Sequence, residues 1–366
     1  VENVKTEQPG VRQNAPDAAA GVRAASSRFI GTANHGYAQQ AQEEVRRLFP
    51  GAAFRYLAPA EVFVMEFPVA SAEAVTTLRD KEPIFLRHIQ PVDAELEAHG
   101  DAADIEALMN WAQSLPASRF APGLPVAVHV RKPDGLALPY ANADLRAALQ
   151  ETLAQQFGIE PVVRGAALIV SVYVTGDKLY AGVSEPAHNL SDWPGGAIRF
   201  QREDEQISRA KFKLLEAEQR FGLDLSDFRA ALDIGAAPGG WTSLLLERGL
   251  RVTAVDPAAL HPSLLGDHKL TYLRKNAGDV RFAPDSFDLL VCDMSWNPKQ
   301  MARLVADLLY ALRTNGLAVI TVKLLHGKAF QTVREVTAAF AGSLELLRAK
   351  QLFHNRDELT LLLRRV

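Results

Sequence analysis

A chain of 366 residues exceeds the usual compact unit of about 100–200 residues, so two or three units are expected. With 48% apolar and 23% charged residues and a single cysteine, the composition excludes collagen-like, wholly disordered and disulfide-scaffold chains. The formal net charge of −3 shows no overall affinity for a polyanion, but it hides a split: residues 1–194 are net acidic and residues 195–366 net basic.

Residues 1–27 are rich in Ala, Gln, Asn and Pro without a sustained apolar period, and are expected to form a disordered tail. They lack the basic and apolar regions of a secretory signal, and no apolar run reaches the ~18 residues of a membrane span. A cytoplasmic location is the expectation.

From Arg28 the apolar period switches from 2 to 3.6 and back, in the order strand, helix, two strands, helix, strand. That βαββαβ order predicts a ferredoxin-like unit over residues 28–98. Residues 99–185 read as a second α/β unit. A helix capped by Asp101 opens it, a strand over 125–131 and a helix ending at Gly158 follow, and a hairpin turning at Thr175-Gly176-Asp177 closes it. Its element order, residues 128–131 followed by Asp144-Leu145-Arg146, and the closing segment 179–184 resemble a THUMP domain, a module of RNA-modifying enzymes.

Residues 186–206 form a connector. From residue 207 to 366 helix and strand alternate, which predicts a doubly wound, Rossmann-like, mainly parallel sheet. A long helix is expected over residues 299–313. The last two strands, near 344–352 and 359–364, have no helix between them and should pair antiparallel at one edge.

The segment Leu232-Asp233-Ile234-Gly235-Ala236-Ala237-Pro238-Gly239-Gly240-Trp241 runs an apolar strand into small residues and then a helix. Such a turn binds a nucleotide-like ligand at the carboxyl edge of a sheet, with glycines permitting close backbone approach. Asp256 ends the next strand about twenty residues later, where a carboxylate can accept from two ribose hydroxyls. Ala237 and Pro238 stand where a pyrophosphate-binding turn would keep its glycine spacing, so a ligand without phosphates is favoured over NAD. After the third strand, Asn276 and Asp279 both offer groups for an adenine edge; Asn276 is slightly preferred.

The stretch D-x-G-x-x-P-G-G-W resembles the S-adenosylmethionine loop of the FtsJ/RrmJ class of RNA ribose methyltransferases. The resemblance implies S-adenosyl-L-methionine as cofactor, with Asp233 near its amino-acid end. It also implies a catalytic Lys-Asp-Lys-Glu set. Matching residues are Lys213 in Ser208-Arg209-Ala210-Lys211-Phe212-Lys213-Leu214, Asp293 after Val291-Cys292, Lys323 at the end of a strand, and Glu358 in Arg356-Asp357-Glu358-Leu359. Each alone reads as an ordinary cap or strand-end residue. Asp293 and Lys323, however, both fall at the carboxyl edge where the cofactor loop opens. A ribose hydroxyl is a weak acid, so Lys323 is expected to be partly buried and tuned by Lys213, serving as base or hydroxyl-orienting group. Asp293 and Glu358 would organise the network.

Within that class the sequence is most similar to the RlmM family of 23S ribosomal RNA (cytidine 2′-O) methyltransferases. The similarity rests on Asn189-Leu190-Ser191-Asp192-Trp193-Pro194, on the cofactor loop, and on Ala349-Lys350-Gln351-Leu352-Phe353-His354-Asn355-Arg356-Asp357-Glu358. It implies large-subunit ribosomal RNA as partner; a transfer-RNA target and a non-catalytic RNA-binding assembly factor are the alternatives. The front region matches poorly. His354, Arg356, Arg364 and Arg365 are either phosphate contacts or plain surface residues. Trp193 either stacks on a base or pins the linker. Cys292 reads as core, and Trp111 and Trp241 are expected to pack.

Overall fold

The computed structural model describes residues 26–201 and 206–366. The expected tail therefore lies outside the described residues except for Ser26 and Ser27, and Ser27 already begins a strand. Among the described residues no helix is long and apolar enough to cross a membrane.

The first unit runs β1 (Ser27–Thr32), α1 (Ala38–Leu48), β2 (Ala53–Ala58), β3 (Val62–Phe67), α2 (Ser71–Lys81) and β4 (His88–Pro91). Its sheet has the order β2-β3-β1-β4 with every neighbour antiparallel, the split βαβ arrangement. Strand β3 is a nearly continuous apolar run because both its faces are covered. Phe63, Met65 and Phe67 join the main core with α1 and α2, while Val62 and Val64 pack with Tyr173 and Tyr180 of the second unit.

The second unit comprises β5 (Ala94–Glu97), α3 (Ala102–Gln113), β6 (Pro125–Arg131), α4 (Asn142–Phe157), β7 (Glu160–Pro161), β8 (Leu168–Val174) and β9 (Lys178–Ser184). The order is β5-β9-β8-β6-β7. Asp101 caps α3 by accepting from the Ala103 amide, and α4 ends at Gly158 with φ 66°. The boundary expected at residue 98 falls too late, because β5 pairs with β9 rather than with the first sheet. Strand pairing, which local periodicity does not encode, decides that assignment.

The last domain contains α5 (Lys211–Phe221), β10 (Ala230–Ile234), α6 (Gly240–Glu247), β11 (Arg251–Val255), β12 (Leu270–Leu273), β13 (Phe287–Cys292), α7 (Pro298–Leu308), β14 (Leu312–Lys323), α8 (Ala329–Phe340), β15 (Leu344–Lys350) and β16 (Glu358–Arg365). The seven-stranded sheet reads β12-β11-β10-β13-β14-β16-β15. The five strands from β12 to β14 are parallel; β16 inserts antiparallel between β14 and β15. Helix α7 stops at Leu308, short of the expected residue 313, since Leu312 already pairs with Phe287 of β13. Chain order reverses between β10 and β13, and a crevice at such a switch point lies outside the carboxyl ends of the strands.

Candidate active site

Strand β10 delivers Asp233 to that crevice. Its side chain is buried and accepts from Thr242 Oγ1 of α6 at 2.6 Å. Burial, reinforced by the Asp293 and Asp256 carboxylates, pushes its pKa up to about 7. Beyond it the chain turns sharply: Gly235 has φ 75°, and a Cβ there would collide with Met294. Gly239 has φ 114° and faces Leu264, while Gly240 lies against Ser208. The peptide between Ala237 and Pro238 is cis. The Ala237 amide donates to Asp256 Oδ2 at 3.1 Å, and the Ala258 amide to Oδ1 at 2.8 Å. These bonds hold the half-buried Asp256 carboxylate at the lip of the loop, and each oxygen keeps a further lone pair for a ribose hydroxyl.

Two other candidate cofactor positions are buried, and for Trp241 the packing is as expected. Ala236 is buried against Ala254 and Leu260 and offers a ligand its backbone only. Trp241 is 3% exposed, packs with Leu214 and Ala217 of α5, and donates its indole N–H to the Ala210 carbonyl at 2.8 Å. Its ring is core, as packing chemistry demands of a large apolar surface, and it has little left to present to a cofactor. Pro238 is exposed at the rim. Asn276, the slightly preferred candidate, and Asp279 are both exposed and bonded to each other, Nδ2 to Oδ2 at 3.3 Å.

The four candidate catalytic positions converge at the neighbouring strand ends. Lys213 Nζ lies 3.0 Å from Asp293 Oδ1 and 2.6 Å from Glu358 Oε2. Thr321 Oγ1 donates to Asp293 Oδ1 at 2.6 Å, and Ser295 Oγ to Glu358 Oε1 at 3.5 Å. Burial disfavours charge on Lys213, but the Asp293 and Glu358 carboxylates outweigh it and raise its pKa. Lys323 pairs in register with Glu358 across β14 and β16. The partial burial expected of Lys323 is not found: it is the last residue of β14, and its side chain is exposed. Lys211, the competitor of Lys213, points away and pairs with Glu247 at 2.9 Å.

Thr321, Ser295 and Thr242 were missed by sequence reading. Period-2 alternation was the available signal for Thr321, which shares a face of β14 with Lys323. Nothing in the sequence marks the other two.

The remaining candidates resolve by contact. His354 stacks against Phe200 and Phe212, and burial pulls its pKa down to about 4, so it is a packing residue. Arg364 and Arg365 pair with Glu345 and Asp285, whereas Arg356 is exposed. Trp193 lies under the Arg164 guanidinium and pins the connector to the second unit. Cys292 is fully buried, and burial raises its thiol pKa. Two large apolar side chains remain exposed beside the site: Trp296, 49% exposed, between β13 and α7, and Leu325, 37% exposed, between β14 and α8.

Residues 206–351 match the family model described as FtsJ-like methyltransferase. A ribosomal RNA large subunit methyltransferase M from Alkalilimnicola ehrlichii is 32% identical over 294 residues, covering 76% of this chain and 78% of that relative. Another of the same description from Methylococcus capsulatus is 37% identical over 199 residues, covering 51% of this chain and 55% of the relative. The chain therefore spans about half the length of that second relative. Among solved structures, TrmN from Thermus thermophilus aligns over 93% of this chain and 100% of its own, with a TM-score of 0.42 and 18% identity.

Proposed function

The chain belongs to the ribosomal RNA large subunit methyltransferase M family, and we propose that it transfers the methyl group of S-adenosyl-L-methionine to a ribose 2′-hydroxyl of large-subunit ribosomal RNA. A 23S cytidine is the target favoured by the sequence resemblance, and a cytoplasmic location goes with that substrate. The observation that carries the reading is the meeting of Lys213, Asp293 and Glu358 around the end of β14, where Lys323 stands beside the Asp233–Asp256 crevice.

The crevice suits the cofactor. Asp233, a buried acid, matches the ammonium of an amino-acid end, and Asp256 matches a ribose diol. Asn276 and Asp279 lie beyond them as paired donors and acceptors for a base edge. When bound, the cofactor supplies a methyl group on a positively charged sulfur. The chain's own part is to hold the hydroxyl in line and to accept its proton at Lys323 Nζ. Lys213, held between two carboxylates, orders Asp293 and Glu358. The target base rests on Trp296 and Leu325, whose apolar surfaces flank the same strand ends. Exposed Lys299, His326, Lys328 and Arg356 surround them and can meet phosphate.

Incubation with labelled methyl donor and ribosomal RNA lacking the modification, followed by mapping of the alkali-resistant site, tests this. A single 2′-O-methylated ribose in large-subunit RNA is expected, lost in Lys323→Ala. Label in transfer RNA instead would overturn the substrate, and no label in any RNA would favour an assembly factor.

A further inference from the structure

The seven residues 351–357 join β15 to β16 and lead directly into Glu358. Hairpin connections ordinarily lie on the surface and move. This one is buried over part of its length: Gln351 and Leu352 are 1% exposed and Asn355 is 2%, while Arg356 and Asp357 reach solvent. What covers it is the N-terminal unit, far away in sequence.

The contacts run along the whole connection. At its start, Lys350 Nζ donates to the Pro83 and Leu86 carbonyls at 2.6 and 2.8 Å, and the Gln351 amide donates to the Ile84 carbonyl at 2.9 Å. In its middle, Asn34 Nδ2 donates to the carbonyls of both Leu352 and Asn355 at 2.8 Å. Arg87 donates to the Asn34 side-chain oxygen, fixing the amide so that its nitrogen faces the loop. At its end, Tyr37, stacked on Phe85, donates its hydroxyl to Asp357 Oδ1 at 3.4 Å. The catalytic domain holds the loop from the other side. Glu216 accepts from the Phe353 and His354 amides, and the Leu324 amide donates to the Asp357 carbonyl at 2.7 Å.

We propose that Asn34 and Tyr37 of the N-terminal unit are positioning residues of the transferase site, acting through residues 351–357 to hold Glu358 against Lys213. The inference rests on the functional reading for its catalytic consequence, but the mechanical part stands on contacts alone. Glu358 enters its ion pair from the first residue of β16, so the connection sets where that strand begins. A carboxylate that must meet an ammonium within a few tenths of an ångström needs a rigid support. The Leu352 and Asn355 carbonyls accept that support from a side chain outside the catalytic domain. The N-terminal unit is thus part of the active-site scaffold.

Full-length wild type, Asn34→Ala and Tyr37→Phe are compared by amide hydrogen exchange and by steady-state methyl transfer. In Asn34→Ala, amides 352–358 should exchange faster while β10 and β13 keep their protection. Its kcat should fall on the order of 10- to 100-fold, with KM for RNA and Kd for methyl donor within about 2-fold of wild type. Tyr37→Phe keeps the ring stack, removes only the hydroxyl, and should move both readouts less in the same sense; it serves alone if Asn34→Ala does not fold. Unchanged exchange in the loop overturns the proposal, as does faster exchange with unchanged kcat, or a loss of rate matched by a loss of RNA affinity. A wild type that methylates no RNA defeats the functional reading alone, and the exchange result still decides whether Asn34 holds the loop.

Discussion

Lys213 and Glu358 form an ion pair of 2.6 Å that passes over the end of β14. Lys213 also lies 3.0 Å from Asp293, so one ammonium ties the end of β13 to the start of β16, the two neighbours of β14 in the sheet. Lys323 is the terminal residue of the strand so bracketed. Two lysines of one site therefore have opposite surroundings, one enclosed by carboxylates and one open to solvent.

That difference separates two substitutions. Lys213→Ala leaves two largely buried carboxylates facing each other, which should cost about 3 kcal/mol of stability as well as activity. Lys323→Ala removes an exposed side chain, so denaturant unfolding should shift by less than about 0.5 kcal/mol while methyl transfer falls on the order of 100-fold or more. Equal destabilisation by both would show that the two lysines share one structural role.

Asp233 introduces a pH dependence. Its folded pKa, about 7, lies above the ordinary 3.8, so the fold favours the neutral acid. Stability from this group is fully present below about pH 4 and is lost as pH rises through about 7. Cofactor binding should run the other way, because a cationic amino-acid end requires the carboxylate. Calorimetric titration should show Kd weakening by up to about 10-fold per unit below pH 7, and Asp233→Asn should bind weakly with no such slope. A wild-type Kd that stays flat across pH 5 to 8 would remove Asp233 from the cofactor's charged end.

The candidate site residues were legible in two ways: Asp233 and Asp256 fall at strand ends where a local pattern changes, whereas Lys213 and Glu358 were picked out by resemblance to a family motif. Side-chain surroundings were not. Lys323 matched its motif position without the expected burial. The pairing of β5 with β9 and the grip of Asn34 on Leu352 depend on contacts between segments remote in sequence, which no local period records.

Gly235 is required by its backbone rather than by ligand chemistry. At φ 75° an L side chain is strained, and its Cβ would press into Met294, the residue after Asp293. Gly235→Ala should destabilise the domain by about 1–3 kcal/mol and weaken cofactor binding through displacement of the Met294 segment. Thermal unfolding measured with and without methyl donor checks both; a variant with wild-type melting and ligand shift would mean that the loop relaxes freely.

Trp296 supplies the substrate-side counterpart. Its indole is 49% exposed and follows Ser295, whose hydroxyl donates to Glu358, so the ring is free to take a base beside the candidate site. A nucleobase stacked there would be worth about 1–3 kcal/mol. Trp296→Ala should therefore raise KM for RNA by roughly 5- to 100-fold with methyl-donor Kd unchanged, and Trp296→Phe should restore much of it. Indole fluorescence that is indifferent to RNA, together with a wild-type KM in the alanine variant, would place the target base elsewhere and leave Trp296 as a surface residue of the α7 entry loop.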